Sequence, residues 1–150
     1  MEFVSNSPRE TQEIASDLAR KIIKTKKGAV VALEGELGAG KTVFAKGFAK
    51  ALGIKSKIKS PTFVLMKKYV SRGTNLYHLD CYRISDHKDL KIPELKEILD
   101  MPHHYKDRLC TKTVFVIIEW AERVRKILPK KHIKIHIDHI SKNKRKITIK

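Results

Sequence analysis

Three features of the sequence predict an α/β fold, a central mixed, mostly parallel sheet with flanking helices and a β-hairpin. Two nearly unbroken apolar runs, residues 29–33 and 114–118, have the composition of strands buried on both faces, as parallel strands are. Segments with apolar residues at four-residue spacing alternate with these runs, which is the pattern of a layered α/β domain. Between them, β-prone runs at 63–70 and 75–80 flank Ser71-Arg72-Gly73-Thr74, which reads as a hairpin with a four-residue loop. At 150 residues the chain has the length of a single domain, residues 1–150, with one well-buried core.

The elements follow in chain order. Ser7-Pro8-Arg9-Glu10 is a capping box, with Ser7 at the N-cap, Pro8 at the first helical position and Glu10 at the third. Ile14, Leu18 and Ile22, with Ala15 and Ala19 beside them, make one apolar face of a helix running to about Lys24. Lys26-Lys27-Gly28 ends it and leads into the first apolar run. After a Gly-rich turn, Phe44, Phe48 and Leu52 mark a second helix, and Gly53 is placed to close it. A short basic link at 54–59 leads to the hairpin. Residues 83–113 read as mostly helix and loop, with Ile92-Pro93-Glu94 opening a helix that buries Leu95, Ile98 and Leu99. The second apolar run is followed by a short helix carrying Val124, Ile127 and Leu128, which Pro129 stops. Residues 132–137 and 147–149 close the chain as an antiparallel pair around Ser141-Lys142-Asn143-Lys144.

Hydrophobic residues at 41% and charged residues at 33% describe an ordinary globular protein rather than a disordered one. No apolar run approaches the length needed to cross a bilayer, and the N-terminal residues do not read as a signal peptide. Cys81 and Cys110 are isolated and form no C-x-x-C, which predicts plain thiols in a reducing cytoplasm. A net charge of +17 calls for an anionic partner, nucleic acid first. A dedicated nucleic-acid surface, however, concentrates arginine and interleaves aromatics. Here lysine outnumbers arginine, lies in nearly every segment, and aromatics are only 7%. General surface basicity is the preferred reading.

The chemistry centres on Gly35-Glu36-Leu37-Gly38-Ala39-Gly40-Lys41-Thr42, which satisfies the phosphate-loop pattern G-x-x-x-x-G-K-[ST] at each fixed position. Glycines let successive backbone N–H groups turn inward around a phosphate. Lys41 carries a charge to the β- and γ-phosphates, and the Thr42 hydroxyl suits Mg²⁺. The loop lies between an apolar strand and a helical pattern, so the helix N-terminus adds its partial positive charge. Such a site needs a carboxylate from a neighbouring strand end. Glu119, directly after the second apolar run, and Asp80, at the end of the hairpin, both qualify; a helix cap or a surface ion pair is the plain alternative for each. Trp120 adjoins Glu119 and is either a packing anchor or a cover for the nucleotide. Ser60-Pro61-Thr62 is either a turn or a switch that senses the γ-phosphate. His132 and His136 share a strand face but stand about 13 Å apart, and His139 faces the other way, so no zinc site is expected.

In order along the chain stand the loop, then Ser60-Pro61-Thr62-Phe63, then Tyr77-His78-Leu79-Asp80-Cys81-Tyr82-Arg83, then Ile118-Glu119-Trp120. This set resembles the TsaE (YjeE-type) ATPases of bacterial tRNA threonylcarbamoyladenosine synthesis, and the likeness spans nearly the whole chain. The resemblance implies a small P-loop ATPase using ATP and Mg²⁺, working with TsaD and TsaB, which transfer the threonylcarbamoyl group to the adenosine next to the anticodon. Contact with tRNA is expected to be indirect, through that complex. Carried onto this sequence, it implies that Lys41 and the backbone of Leu37, Gly38, Ala39, Gly40 and Thr42 hold the phosphates. Thr42 and Glu119 hold Mg²⁺, Thr62 belongs to a switch, and Asp80 orients water or the metal shell. Trp120 lies near the nucleotide, and Thr11 and Arg145 approach the base or ribose. Departures are Glu36 for Asp, Val43 for a second Thr, Ala121 for Pro, and a longer segment at 90–112 that lacks the usual Leu-Gly.

Other users of the loop are weaker fits. A small-molecule or nucleoside kinase usually carries an Arg-rich lid and an acceptor pocket, for which this chain leaves little room. A GTPase would need Asn-Lys-x-Asp, and Asn143-Lys144-Arg145-Lys146 lacks the Asp. A basic nucleic-acid-binding module with a vestigial loop is the fourth possibility.

Overall fold

The computed structural model describes residues 1–62, 65–85, 92–104 and 112–150. Its elements are β1 (Glu2–Ser5), α1 (Pro8–Lys24), β2 (Ala29–Glu34), α2 (Lys41–Ala51), β3 (Met66–Val70), β4 (Thr74–Asp80) and α3 (Ile92–His104). They continue with β5 (Thr113–Glu119), a 3-10 segment (Ala121–Ile127), β6 (Ile133–His139) and β7 (Arg145–Ile149). The described strands form one sheet in the order β1-β7-β6-β2-β5-β4-β3. The four central strands, β6, β2, β5 and β4, run parallel. The antiparallel pairs lie at the two sides: β4 with β3, and β6 with β7 with β1. The sheet is thus mixed, with the expected parallel centre.

The two apolar runs stand side by side as β2 and β5, and every residue of β2 is buried. Alternation along them feeds two layers. Val31, Leu33, Phe115 and Ile117 face α1 and α2, where Phe44 and Phe48 are fully buried. Val30, Ala32, Val116 and Ile118 face Leu95 and Leu99 of α3 and Ala121 and Val124 of the 3-10 segment. The Phe48 and Phe115 rings meet edge to face at 5.9 Å, a geometry that contributes about 1 kcal/mol beyond area burial. Helices α1 and α2 approach closely at Gly47, where a Cβ would stand 2.3 Å from the Gln12 carbonyl oxygen. The Ser16 hydroxyl donates to the Gly47 carbonyl at 2.7 Å and fixes the crossing.

The predicted Ser7 N-cap forms, with the Glu10 N–H donating to Ser7 Oγ at 3.1 Å, but the Glu10 carboxylate reaches past Ser7 and accepts from the Asn6 N–H at 2.7 Å, so the box closes one residue early. Three details differ from expectation. No strand is predicted at 2–5, yet β1 pairs there with β7; only Phe3 and Ser5 turn inward, too few for a periodicity to register. The short helix after β5 is a 3-10 segment, interrupted at Val124 (φ −123°), where the chain leaves helical geometry at a buried side chain. The hairpin loop is one residue shorter than predicted, because Thr74 already pairs with Thr113 of β5. Phe63, Cys110 and parts of the 90–112 segment lie outside the described residues.

Candidate functional site

The phosphate-loop pattern occupies the turn from β2 into α2, at the carboxyl end of the parallel strands. Gly35 takes φ +138°, and a Cβ there would come within 2.3 Å of the Ile137 carbonyl oxygen, so no other residue fits the turn. Arg145 of β7 braces the loop from outside, donating to the carbonyls of Ala39 at 2.9 Å and Gly38 at 3.2 Å while also holding Ser141 O at 2.7 Å. Thr11 and Arg145 meet in a narrow cleft of about 40 Å³ beside Gly40 and Val43. The Thr11 hydroxyl is engaged by Ser5 Oγ at 2.7 Å and Ser7 O at 3.3 Å.

Lys41 is buried beneath the loop. Its Nζ donates to Gly35 O at 2.5 Å and Glu36 O at 2.8 Å, and lies 3.7 Å from the centre of the Trp120 ring. Burial lowers its pKa, against the opposing pull of the Glu122, Glu119 and Asp80 charges. Trp120 follows β5 in a left-handed conformation (φ 60°), which turns its ring over the loop and toward Tyr82, 4.9 Å away. Leu37, at the loop's tip, is 76% exposed.

Two carboxylates stand side by side, because Asp80 and Glu119 are register partners at the ends of β4 and β5. The Thr42 hydroxyl, in the first turn of α2, donates to Glu119 at 2.8 Å (Oε2) and 3.0 Å (Oε1). His78, two residues before Asp80 and on the same strand face, meets Glu119 Oε1 through Nε2 at 2.8 Å. Asp80 Oδ2 accepts hydrogen bonds from the Ser60 hydroxyl and, at 2.7 Å, from Thr62, and its Oδ1 accepts the Tyr82 N–H at 2.9 Å. Cys81, buried beside Asp80 and Glu122, has its pKa pushed up to about 12 by burial and those charges, so it is an inert thiol.

The fold therefore brings Lys41, Thr42, Thr62, Asp80, Glu119 and Trp120 together, with Thr11 and Arg145 on the loop's outer flank. His78 and Glu34 belong to the same region without a role legible in the sequence, and Ser60 of the Ser60-Pro61-Thr62 turn or switch joins them through Asp80. His78 was findable: it lies one strand period before Asp80, and a histidine inside an apolar strand needs a polar partner. Glu34 ends β2 and receives a bidentate Arg125 contact (2.8 and 3.1 Å) and Lys134 at 3.0 Å. Burial alone would raise its pKa, but the hydrogen bonds from Arg125 and Lys134 outweigh burial and lower it. These contacts tie the segment after Trp120 back to β2, and no spacing rule links positions so far apart. His132 Nδ1 lies 2.7 Å from Pro129 O and His136 Nε2 3.0 Å from Asp138 Oδ1, so each is occupied locally.

A glycine-turned loop between a parallel strand and a helix, with a buried lysine beneath it and its threonine in contact with a strand-end glutamate, defines a P-loop nucleotide-binding domain. Within that class the chain belongs to the TsaE family. The family model, described as "Threonylcarbamoyl adenosine biosynthesis protein TsaE", matches residues 5–147. Proteins named tRNA threonylcarbamoyladenosine biosynthesis protein TsaE are 37% identical over 95% of this chain and 80% of the protein from Bacillus subtilis, and 36% identical over 99% of both chains in Treponema pallidum. The crystal structure of Bacillus subtilis YdiB superposes with a TM-score of 0.72 at 33% identity, over 99% of this chain and 83% of that one.

Proposed function

We propose that this chain is the ATP-binding and ATP-hydrolysing subunit of tRNA threonylcarbamoyladenosine synthesis, dependent on Mg²⁺ and acting in the cytoplasm with TsaB and TsaD. The observation that carries this reading is the direct contact between the Thr42 hydroxyl and the Glu119 carboxylate beneath a complete phosphate loop. Family membership supplies the pathway. No helix among the described residues is long and apolar enough to cross a membrane.

Each group has a role that follows from its chemistry. The backbone N–H groups from Leu37 to Thr42 would hold phosphate oxygens, that of Ala39 on leaving the Glu36 carbonyl to which it donates at 3.1 Å. Lys41, whose Nζ donates to Gly35 O and Glu36 O at the base of the loop, would supply its positive charge and hydrogens to the β- and γ-phosphate oxygens. Thr42 and Glu119 offer hard oxygen donors of the kind Mg²⁺ takes alongside phosphates, and the ion would neutralise charge on the transferring group. Asp80, tied to Ser60 and Thr62, would orient the attacking water or the metal shell. Trp120 covers Lys41 and limits water at the phosphates. Arg145 and Thr11 shape the flank of the loop where ribose or base would lie.

The test is turnover of labelled ATP by the purified chain, alone and with TsaB and TsaD, together with tRNA modification by the reconstituted set. The expected result is slow phosphate release alone, a rise with the partners, and loss of both activities in Lys41→Ala. Transfer of label to a nucleoside instead of water would favour the kinase alternative, and Lys41→Ala retaining full activity would remove the ATPase reading.

A further inference from the structure

We propose that His78 is a positioning residue for Glu119, fixing the rotation of that carboxylate so that Oε2 is presented beside Thr42. The inference rests on the reading that Thr42 and Glu119 face a divalent cation, and it adds a residue to which neither the sequence motif nor the family description gives a task.

Four observations carry it. His78 is fully buried, at 0% exposure. Its Nε2 lies 2.8 Å from Glu119 Oε1, and an ionised carboxylate only accepts, so Nε2 carries the hydrogen and donates. Its Nδ1 has no hydrogen-bond partner among the described residues, so the Glu119 contact is the polar tie that holds the ring. Lastly, the two oxygens of Glu119 are not equivalent: Oε1 is shared by His78 and Thr42 (2.8 and 3.0 Å), while Oε2 meets Thr42 at 2.8 Å.

Burial argues against a packing role. Leaving Nδ1 unmatched in the interior costs free energy, and a leucine or phenylalanine would fill the same space without that cost. A histidine at this point is accounted for by what Nε2 does. A carboxylate held by Thr42 alone could rotate about its last torsion, which is broad and weakly preferred. A second donor from β4 removes that freedom, and outer-shell partners of this kind commonly set metal affinity.

The test measures Mn²⁺ binding by paramagnetic resonance to the full chain with a non-hydrolysable ATP analogue. His78→Gln places its amide nitrogen near the position of Nε2, whereas His78→Asn places it near Nδ1 and cannot reach Glu119. Mn²⁺ affinity is expected to fall about 10- to 100-fold in His78→Asn and in His78→Leu, and to stay within about threefold of wild type in His78→Gln. Analogue affinity in EDTA is expected to be unchanged in all three. In a Glu119→Gln background, adding His78→Leu is expected to change Mn²⁺ affinity by less than about twofold, since the residue acts through Glu119. Wild-type affinity in His78→Asn, or the full additional loss in the Glu119→Gln background, would overturn the proposal. If His78→Leu does not fold, the Asn and Gln pair decides alone. Wild-type protein that binds no Mn²⁺ with nucleotide would defeat the function proposed above and this inference with it.

Discussion

Asp80 and Glu119 are register partners on adjacent parallel strands, both almost fully buried, yet they are held by different kinds of structure. Glu119 takes its partners from regular elements: Thr42 in the first turn of α2 and His78 within β4. Asp80 takes two of its partners from Ser60 and Thr62, in the connection between α2 and β3, and a third from the Tyr82 N–H just past the end of β4. Helix and strand partners are lost only when the sheet opens, whereas a connection can rearrange at much smaller cost. In the function proposed above, this difference divides the work: Glu119 serves as a fixed part of the phosphate site, and Asp80 as the carboxylate whose surroundings respond to nucleotide, as in switches built from connecting segments.

Isosteric neutralisation breaks the comparison most sharply. Glu119→Gln and Asp80→Asn are both expected to lower ATP turnover by about 100-fold or more. Only Glu119→Gln should also weaken Mn²⁺ binding in the presence of nucleotide; Asp80→Asn should leave it within about threefold. Equal losses of metal affinity would show that the two acids do not differ in role. Next in size, the double variant Ser60→Ala with Thr62→Val removes both hydroxyls from Asp80 and leaves Glu119 untouched. It is expected to lower kcat about tenfold with KM little changed, as when an interaction made only in the transition state is lost.

A smaller effect concerns the frame. Glu34→Gln loosens Arg125 and Lys134 and with them the segment after Trp120, at about 1–2 kcal/mol, or a Tm lower by roughly 3–6 °C. The sign of its pH dependence is fixed by the lowered Glu34 pKa. Such a carboxylate gives its full stabilisation above its ordinary value of 4.5 and loses it as pH falls through the lower folded value. Thermal melts of wild type and Glu34→Gln should thus differ at pH 7 and converge as the pH falls well below 4.5.

The parallel centre of the sheet was legible because β2 and β5 are unbroken apolar runs, and a strand buried on both faces leaves that mark. The loop was legible because Gly35, Lys41 and Thr42 are each needed for a separate physical reason. The features without a mark in the sequence depend on contacts between distant positions. β1 exists because β7 offers it an edge, not because Glu2-Phe3-Val4-Ser5 has a pattern of its own. Glu34 is explained only by Arg125 and Lys134, far along the chain. The task of His78 becomes visible once β4 lies beside β5 and Glu119 comes within hydrogen-bond reach. For Arg145 the resemblance implies only an approach to the base or ribose; its clamp on the carbonyls of Gly38 and Ala39 joins positions 107 and 106 residues apart and leaves no local mark.

In the proposed function, ATP with a divalent cation is held by the loop through Lys41 and Thr42. Calorimetric titration of Mg²⁺-ATP into wild type and Lys41→Ala, each checked for folding by thermal melt, tests it most directly. Saturable one-to-one binding by wild type that disappears in Lys41→Ala is the predicted result. No binding by wild type, or the same affinity in folded Lys41→Ala, would contradict it.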